Sequence, residues 1–359
     1  MNQLKQHMPY KNSTGAALIL VLGILSIISV LTVQIIEASR NLTKQQIALK
    51  QLQQSYWYAK SGEEYARYLS RDYILKKNLN DEDTQLTFPI ENGQLKITLK
   101  PMQNCFNINS FSERSGIDII NRASFDIIDN PKEGADKPER TVELAQDTHL
   151  ISTALKRRQF SSLFALLDIE PQNSQLFADR LIDWLDEDNS PSGAYGAEST
   201  YYSSATPPRL TPNNHTLIAA EMKSFLGEDY PQFKSALPYL CSRPGDNKLQ
   251  VNINQLDQDT ALLLSAVLLG KIDQEAAKEI IKERPKTGFN SLSSFWQLPV
   301  FNELDISMTQ KNSISIENRY FEVDTNVKYK EAKFKLQSLI RVGVNKKVHV
   351  FSRQYGVSS

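Results

Sequence analysis

A chain of 359 residues is longer than one compact domain usually needs, so two or three units are expected. Its 41 basic and 41 acidic residues cancel, so the net balance gives no reason to expect nucleic acid or an acidic surface as a partner.

In chain order, the first element is an uncharged apolar run, AALILVLGILSIISVLTVQII, over 16–36. About 20 such residues cross the hydrocarbon of a bilayer as a helix, at roughly 1.5 Å each. The stretch ahead of it is short and polar, with Lys5 and Lys11. The positive-inside rule puts those lysines in the cytoplasm, but Arg40 and Lys44 lie close on the other side, so charge alone does not settle the orientation. A secretory signal is cut after its apolar run, following small residues. Here the cut that suits the sequence precedes the run, between Gly15 and Ala16. A plain N-terminal anchor is the alternative.

The helix is predicted to continue to about Tyr73, because 37–73 contains no Pro and only one Gly, Gly62. Leu42, Leu49, Leu52, Tyr56, Ala59, Ala66 and Leu69 recur at three- and four-residue steps or their sums and mark one helix face. Strands are expected where apolar and polar residues alternate, at Gln94 to Lys100 and at Phe106 to Asn109. Further alternating runs are Tyr320 to Val323, Phe334 to Val342 and Val348 to Phe351, with a turn at Gly343 to Lys346. Between these patches, 112 to about 310 reads mostly helical, which suggests a helical insertion in a small sheet.

Leu176 to Asp186 is predicted to be a helix with Phe177, Leu181, Trp184 and Leu185 on its apolar face. Asp183, Asp186, Glu187 and Asp188 crowd its last turn, where carboxylates oppose the macrodipole and repel one another. A bound cation would reverse that sign. The donors there, including Asn189 and carbonyls of the Pro191–Gly196 loop, are all oxygen. That suits a hard ion such as Ca²⁺ far better than zinc, although the spacing is not that of an EF-hand. A solvated acidic loop is the alternative.

Residues 257–296 resemble a helix-hairpin-helix, with an N-capping Asp257, a helix through Leu269, a Gly270-Lys271 turn and a second helix through Arg284. Such modules often meet DNA phosphates through a Gly-rich hairpin. Here Lys271, Lys278, Lys282, Arg284 and Lys286 are interleaved with Asp273, Glu275, Glu279 and Glu283, so a structural use is expected. The four histidines sit in unrelated contexts, and no serine elbow, P-loop or HExxH is present. Asp183 and Asp188 as a hydrolytic pair lack any accompanying substrate motif. No enzyme is expected. Cys105 and Cys241, a lone pair, form one disulfide if the body lies in an oxidising compartment; two unrelated buried thiols are the reading for a cytoplasmic body.

The Gly15-Ala16 junction looks like a class III signal, the leader of type IV pilins and their relatives. Several further segments agree with one family. These are Tyr58-Ala59-Lys60-Ser61-Gly62-Glu63-Glu64-Tyr65-Ala66-Arg67, Cys105-Phe106-Asn107-Ile108-Asn109, and Asp183-Trp184-Leu185-Asp186-Glu187-Asp188. Gly196-Ala197-Glu198, Leu237-Pro238-Tyr239-Leu240-Cys241 and Val251-Asn252-Ile253-Asn254 follow in order. The chain thereby resembles the protein K family of the type II (general) secretion pathway, which are minor pseudopilins. Most pilins carry Glu at the fifth mature position, protein K an apolar residue, and Leu20 stands there when counted from Ala16.

The resemblance implies an α+β fold: a pilin-like long N-terminal helix packed on a small antiparallel sheet, with a large all-α domain inserted in the sheet. The implied divisions are a leader at 1–15, a transmembrane helix at 16–36 and an amphipathic stalk at 37–75. The first part of the sheet follows at 76–111. The insert occupies 112–312, with SAM-like and helix-hairpin-helix-like halves, and the last strands occupy 313–359. It further implies cleavage by a prepilin peptidase with N-methylation of Ala16, and calcium held by Asp183, Asp186, Asp188 and Glu198. A Cys105–Cys241 disulfide and I- and J-type minor pseudopilins as partners are also implied. The protein would sit in the bacterial inner membrane with its N-terminus cytoplasmic and its body periplasmic. It would cap the tip of the pseudopilus, help start its assembly and bind no nucleic acid. The alternative is a competence-type minor pilin that touches DNA through the helix-hairpin-helix-like segment.

Overall fold

The structure is a computed structural model that describes residues 14–73, 84–112, 139–343 and 345–356. Most of the leader, residues 1–13, lies outside these. Helix α1, Thr14–Tyr73, runs for 60 residues without a proline, about 90 Å. Inside its apolar part the hydroxyls of Ser29 and Thr32 donate to the carbonyls of Leu25 and Ile28, at 2.8 and 2.7 Å, so neither is left unbonded among apolar neighbours.

Among the described residues the sheet has five antiparallel strands, ordered 85–90, 93–101, 320–329, 332–342 and 348–356. Its first two strands are β1 (Gln85–Ile90) and β2 (Gly93–Pro101), joined by a tight turn with Asn92 at φ 57°. After β3 (Phe106–Asn107) the chain enters the inserted unit. That unit holds helices α2 (Glu139–Ala165), α3 (Pro171–Leu185), α4 (Ser199–Ser203) and α5 (Met222–Leu226). Strands β4 (Leu240–Cys241) and β5 (Val251–Asn252) follow, then α6 (Leu262–Val267), α7 (Gln274–Lys282), α8 (Leu292–Trp296) and α9 (Met308–Lys311). After β6 (Ile314–Ser315) the sheet is completed by β7 (Tyr320–Tyr329), β8 (Ala332–Val342) and β9 (Val348–Gly356).

The grip of α1 on the sheet is made by small residues. Ser55, Ala59, Ala66 and Ser70 are fully buried at helical spacing. A Cβ on Gly62 would stand 2.7 Å from Thr325 Cγ2 and 3.2 Å from Leu95 Cδ1, so only glycine allows this closeness. The leucines expected on that face behave differently: Leu42, Leu49 and Leu52 are exposed, because the sheet reaches only the last third of the helix. Within this packed layer lies one buried carboxylate, Glu63. Arg353 Nε donates to it at 2.8 Å, Lys60 Nζ at 2.7 Å and Ser338 Oγ at 2.5 Å. Burial alone would raise its pKa, but these three donors hold it down at about 2.

The insert leaves and re-enters the sheet at one place. Pro101 pairs with Phe321, and Met102 N–H donates to Tyr320 C=O at 2.9 Å. The other end of the sheet faces the anchor, since Tyr56 packs on Phe334 and Tyr58 on Tyr329. The helical unit therefore stands on the end of the sheet remote from the apolar N-terminal run of α1. Its core is aromatic, with Phe160, Phe164, Phe177, Phe225 and Phe233 all fully buried.

Several expected elements differ. Phe106 to Asn109 does not continue as a strand: Asn109 N–H bonds Asn107 Oδ1, and a 3₁₀ turn runs from Ile108 to Phe111. Asp257 caps no long helix; it closes a turn by accepting from Thr260 N–H at 2.8 Å, and the helix spans only Leu262–Val267. The second hairpin helix is capped by Asp273 instead. Strand β6 pairs with β5 inside the insert, not with the sheet.

Candidate metal centre and membrane anchor

Helix α3 begins with Pro171 in its first turn and buries Phe177, Leu181, Trp184 and Leu185. It stops because Asp186 turns to extended geometry, φ −81° and ψ 175°. The loop that follows is folded back on the helix by two carboxylates. Ser192 N–H donates to Asp183 Oδ1 at 2.8 Å, and Tyr195 N–H donates to Asp179 Oδ2 at 3.2 Å. Asp179 in turn is paired with Arg157 at 2.5 Å. Gly193, at φ +63°, lies against the Asp179 carboxylate, and a Cβ on Gly196 would stand 2.6 Å from Asp183 Oδ2. Both positions exclude a side chain.

This folding brings one carboxylate oxygen each from Asp186, Asp188 and Glu198 within 4.8 Å of one another. Asp183, the fourth expected ligand, is not in that triad. It is fully buried beside it, with Oδ2 lacking any hydrogen-bond partner. Both oxygens of Glu198 are also buried and without one. Burial pushes the Asp183 carboxyl above its ordinary value, against the pull of its Ser192 bonds. Burial lifts Glu198 too, and the charges of Asp183 and Asp188 add to it. Buried carboxylate oxygens without donors are costly, and the gathered oxygens of Asp186, Asp188 and Glu198, with Glu198's two unbonded, fit a hard divalent cation. Asp179 was missed in the sequence, although it stands one turn before Asp183 on the same helix face.

The helix-hairpin-helix-like segment keeps its hairpin at Gly270, φ +71°. Lys278 pairs with Glu275 at 2.8 Å and Lys282 with Glu279 at 3.2 Å. Arg284 is turned inward, donating to the carbonyls of Ile253 and Leu256 at 2.7 and 2.8 Å. Its cations are thus largely occupied, and no specific observation favours the DNA alternative.

Cys105 and Cys241 are joined by a disulfide, Cα–Cα 5.8 Å, beside the β3–β4 pair. Leu20 is exposed in the apolar part of α1, and the Gly15–Ala16 bond lies in its first turn. Within the described residues one helix, Leu18–Tyr73, is long and apolar enough to cross a membrane.

A long N-terminal apolar helix continuous with a stalk, a sheet packed on the stalk's end and a domain inserted in that sheet define a pilin-like subunit. Residues 104–245 and 251–317 match the two family descriptions given as Type II secretion system (T2SS), protein K. The chain belongs to that family, the minor pseudopilins of type II secretion, which are structural subunits. It is 27% identical over 351 residues to the type II secretion system protein K of Pectobacterium carotovorum subsp. carotovorum, covering 95% of this chain and 96% of the relative. Against the protein of the same name from Klebsiella pneumoniae it is 26% identical, covering 96% of each. Among solved structures it superposes with TM-score 0.65 and 22% identity on a chain of the GspK-GspI-GspJ complex from enterotoxigenic Escherichia coli. That match covers 88% of this chain and 100% of the other.

Proposed function

We propose that the protein caps the tip of a periplasmic pseudopilus and helps start its assembly, for export of folded proteins across the outer membrane. The observation that carries this is the seat of the insert. It stands where Pro101 and Phe321 meet, on the sheet end remote from the anchor, where it would obstruct a subunit stacked above. Leu20 supports the same position. A Glu there would pair with a neighbour's N-terminal ammonium in an apolar setting, and Leu20 has no such partner to seek. The partners we assign are I- and J-type minor pseudopilins, as the related E. coli chain was solved in a GspK-GspI-GspJ complex. Immunogold labelling of overproduced pseudopili should mark tips only, and regular labelling along the shaft would refute the cap.

The remaining assignments follow from this reading. A prepilin peptidase cuts after Gly15, Ala16 is N-methylated, and the mature chain spans the inner membrane once with its body in the periplasm. Intact mass from cells checks this; a chain starting at Met1 would sink it. The role is structural, without catalysis. The ion assigned to Asp186, Asp188 and Glu198, with Asp183 beside them, is calcium. Binding only the folded state at a hundred times its dissociation constant adds about 2.7 kcal/mol. A chelator should therefore lower the melting temperature, and Asp188→Ala should remove most of that sensitivity. Melting curves indifferent to both calcium and chelator would leave the loop merely acidic.

A further inference from the structure

Below the body, residues 37–54 of α1 are exposed on every side among the described residues, apart from a half-buried Gln51. From Ile36 at the end of the apolar run to Tyr56 under the sheet is about 30 Å of bare helix, the diameter of a small domain. Along it runs an apolar stripe, Leu42, Leu49 and Leu52, exposed by 60%, 66% and 39%. The stripe runs on into Tyr56, where the body begins.

The overhanging end of the body is basic. Lys328 on β7 and Lys333 on β8 are register partners on the outer sheet face. Lys96 on β2 pairs with Asn326 and so stands diagonal to Lys328. Together with Gln94 and Asn326 they line a cleft of about 270 Å³. Like charges directly opposite on neighbouring strands are destabilising. The acids of the same face cannot relieve them, because Lys100 holds Glu322 at 3.2 Å and Asp324 at 2.9 Å, and Lys335 shares Asp324 at 3.6 Å. Glu91 and Glu331 lie on the hairpin turns at this end, and neither forms an ion pair with the three lysines among those described. None of the three lysines has an ion pair among those described.

We propose that this space receives the body of one neighbouring subunit, apolar where it lies on the stalk and acidic where it meets Lys96, Lys328 and Lys333. The proposal rests on the assembly reading above and adds its recognition surface. A phospholipid surface fits less well, since the lysines stand about 30 Å of helix away from the apolar span. Charges at such a contact chiefly set encounter rate and choice of partner.

The test uses the full chain in phosphatidylcholine nanodiscs, titrated with the I- and J-type subunits of its own secretion system. Complex formation should weaken as salt rises. The triple variant Lys96→Glu, Lys328→Glu, Lys333→Glu should bind roughly tenfold more weakly, and a triple Gln variant less so. Amine acetylation should fall at the three lysines on binding while Lys346, exposed at the far end, stays reactive. If the wild type binds and both variants bind equally well, the surface is misassigned. If protection appears on adding a quarter of phosphatidylglycerol without any partner, the surface meets lipid and the proposal is overturned. If the wild type forms no complex at all, the assembly reading itself falls.

Discussion

The sheet and the insert are held together differently. The sheet meets α1 through glycine, alanine and serine, so their backbones come close and one buried ion cluster at Glu63 sets the register. The insert instead depends on interlocked phenylalanines: Phe177 alone has ring neighbours Phe160, Phe164, Phe225 and Phe233 at 5.0 to 5.6 Å. Closing the sheet requires the two ends of the insert to lie side by side, because β2 pairs with β7 across the whole insertion. The Cys105–Cys241 bond, spanning 136 residues, fastens part of that delivery. The helical unit is therefore expected to carry the stability on which the sheet depends.

The largest effect should come from the aromatic core. Phe177→Ala removes a fully buried ring, a change that costs about 3–5 kcal/mol. Urea unfolding of the full chain, followed by far-ultraviolet circular dichroism, should show the loss. A shift of less than about 1 kcal/mol would mean that the core repacks and that the contrast drawn above is false.

In the sheet, the corresponding weak point is electrostatic. Glu63→Gln leaves Arg353 without its carboxylate and should cost about 3 kcal/mol, at the lower end for a buried pair because Arg353 is one-third exposed. The same pair predicts a pH dependence. The folded pKa, about 2, lies below the ordinary 4.5, so the stabilisation is complete above about 4.5 and is lost as pH falls towards 2. The amount is about 3 kcal/mol. Acid titration of stability should be flatter in Glu63→Gln over that window. Equal slopes in the two proteins would mean that Glu63 does not contribute to the acid sensitivity.

The difference between the regions also explains what the sequence could disclose. Long periodic elements were legible: α1, the alternating strands β2, β8 and β9, and the acidic end of α3. Strand β1 was not, because Pro89 reads as a breaker; at the sheet's edge its missing N–H is tolerated. The stalk's packing face was half legible. Helical spacing locates Ala59 and Ala66, but spacing does not tell that a sheet will approach so closely that leucine is excluded. The short elements of the insert depend on tertiary contacts. Asn107 and Asn252 each turn their side chain to the N–H two residues on, which ends a run that alternation would extend. For the candidate metal centre, Asp186 and Asp188 were visible as part of a charge cluster, whereas Glu198 came only from the family resemblance. The residues that fold the loop, Asp179 with Arg157 and the two glycines, appear only when α2 and α3 pack together.

The smallest effect is expected on the surface of the insert, in the helix that resembles a DNA-binding hairpin. Lys278 and Lys282 are exposed and paired with Glu275 and Glu279 one turn away on the same helix. Pairs of this kind contribute little, because holding two long side chains in one geometry costs most of what the weak attraction supplies. Lys278→Ala together with Lys282→Ala should leave the melting point unchanged, in contrast to both substitutions above. A gel-shift assay of the wild-type chain should show no salt-sensitive retention of duplex DNA. Retention in the wild type that the double variant loses would assign the hairpin to phosphate contact, and the insert would then have a role beyond supporting the sheet.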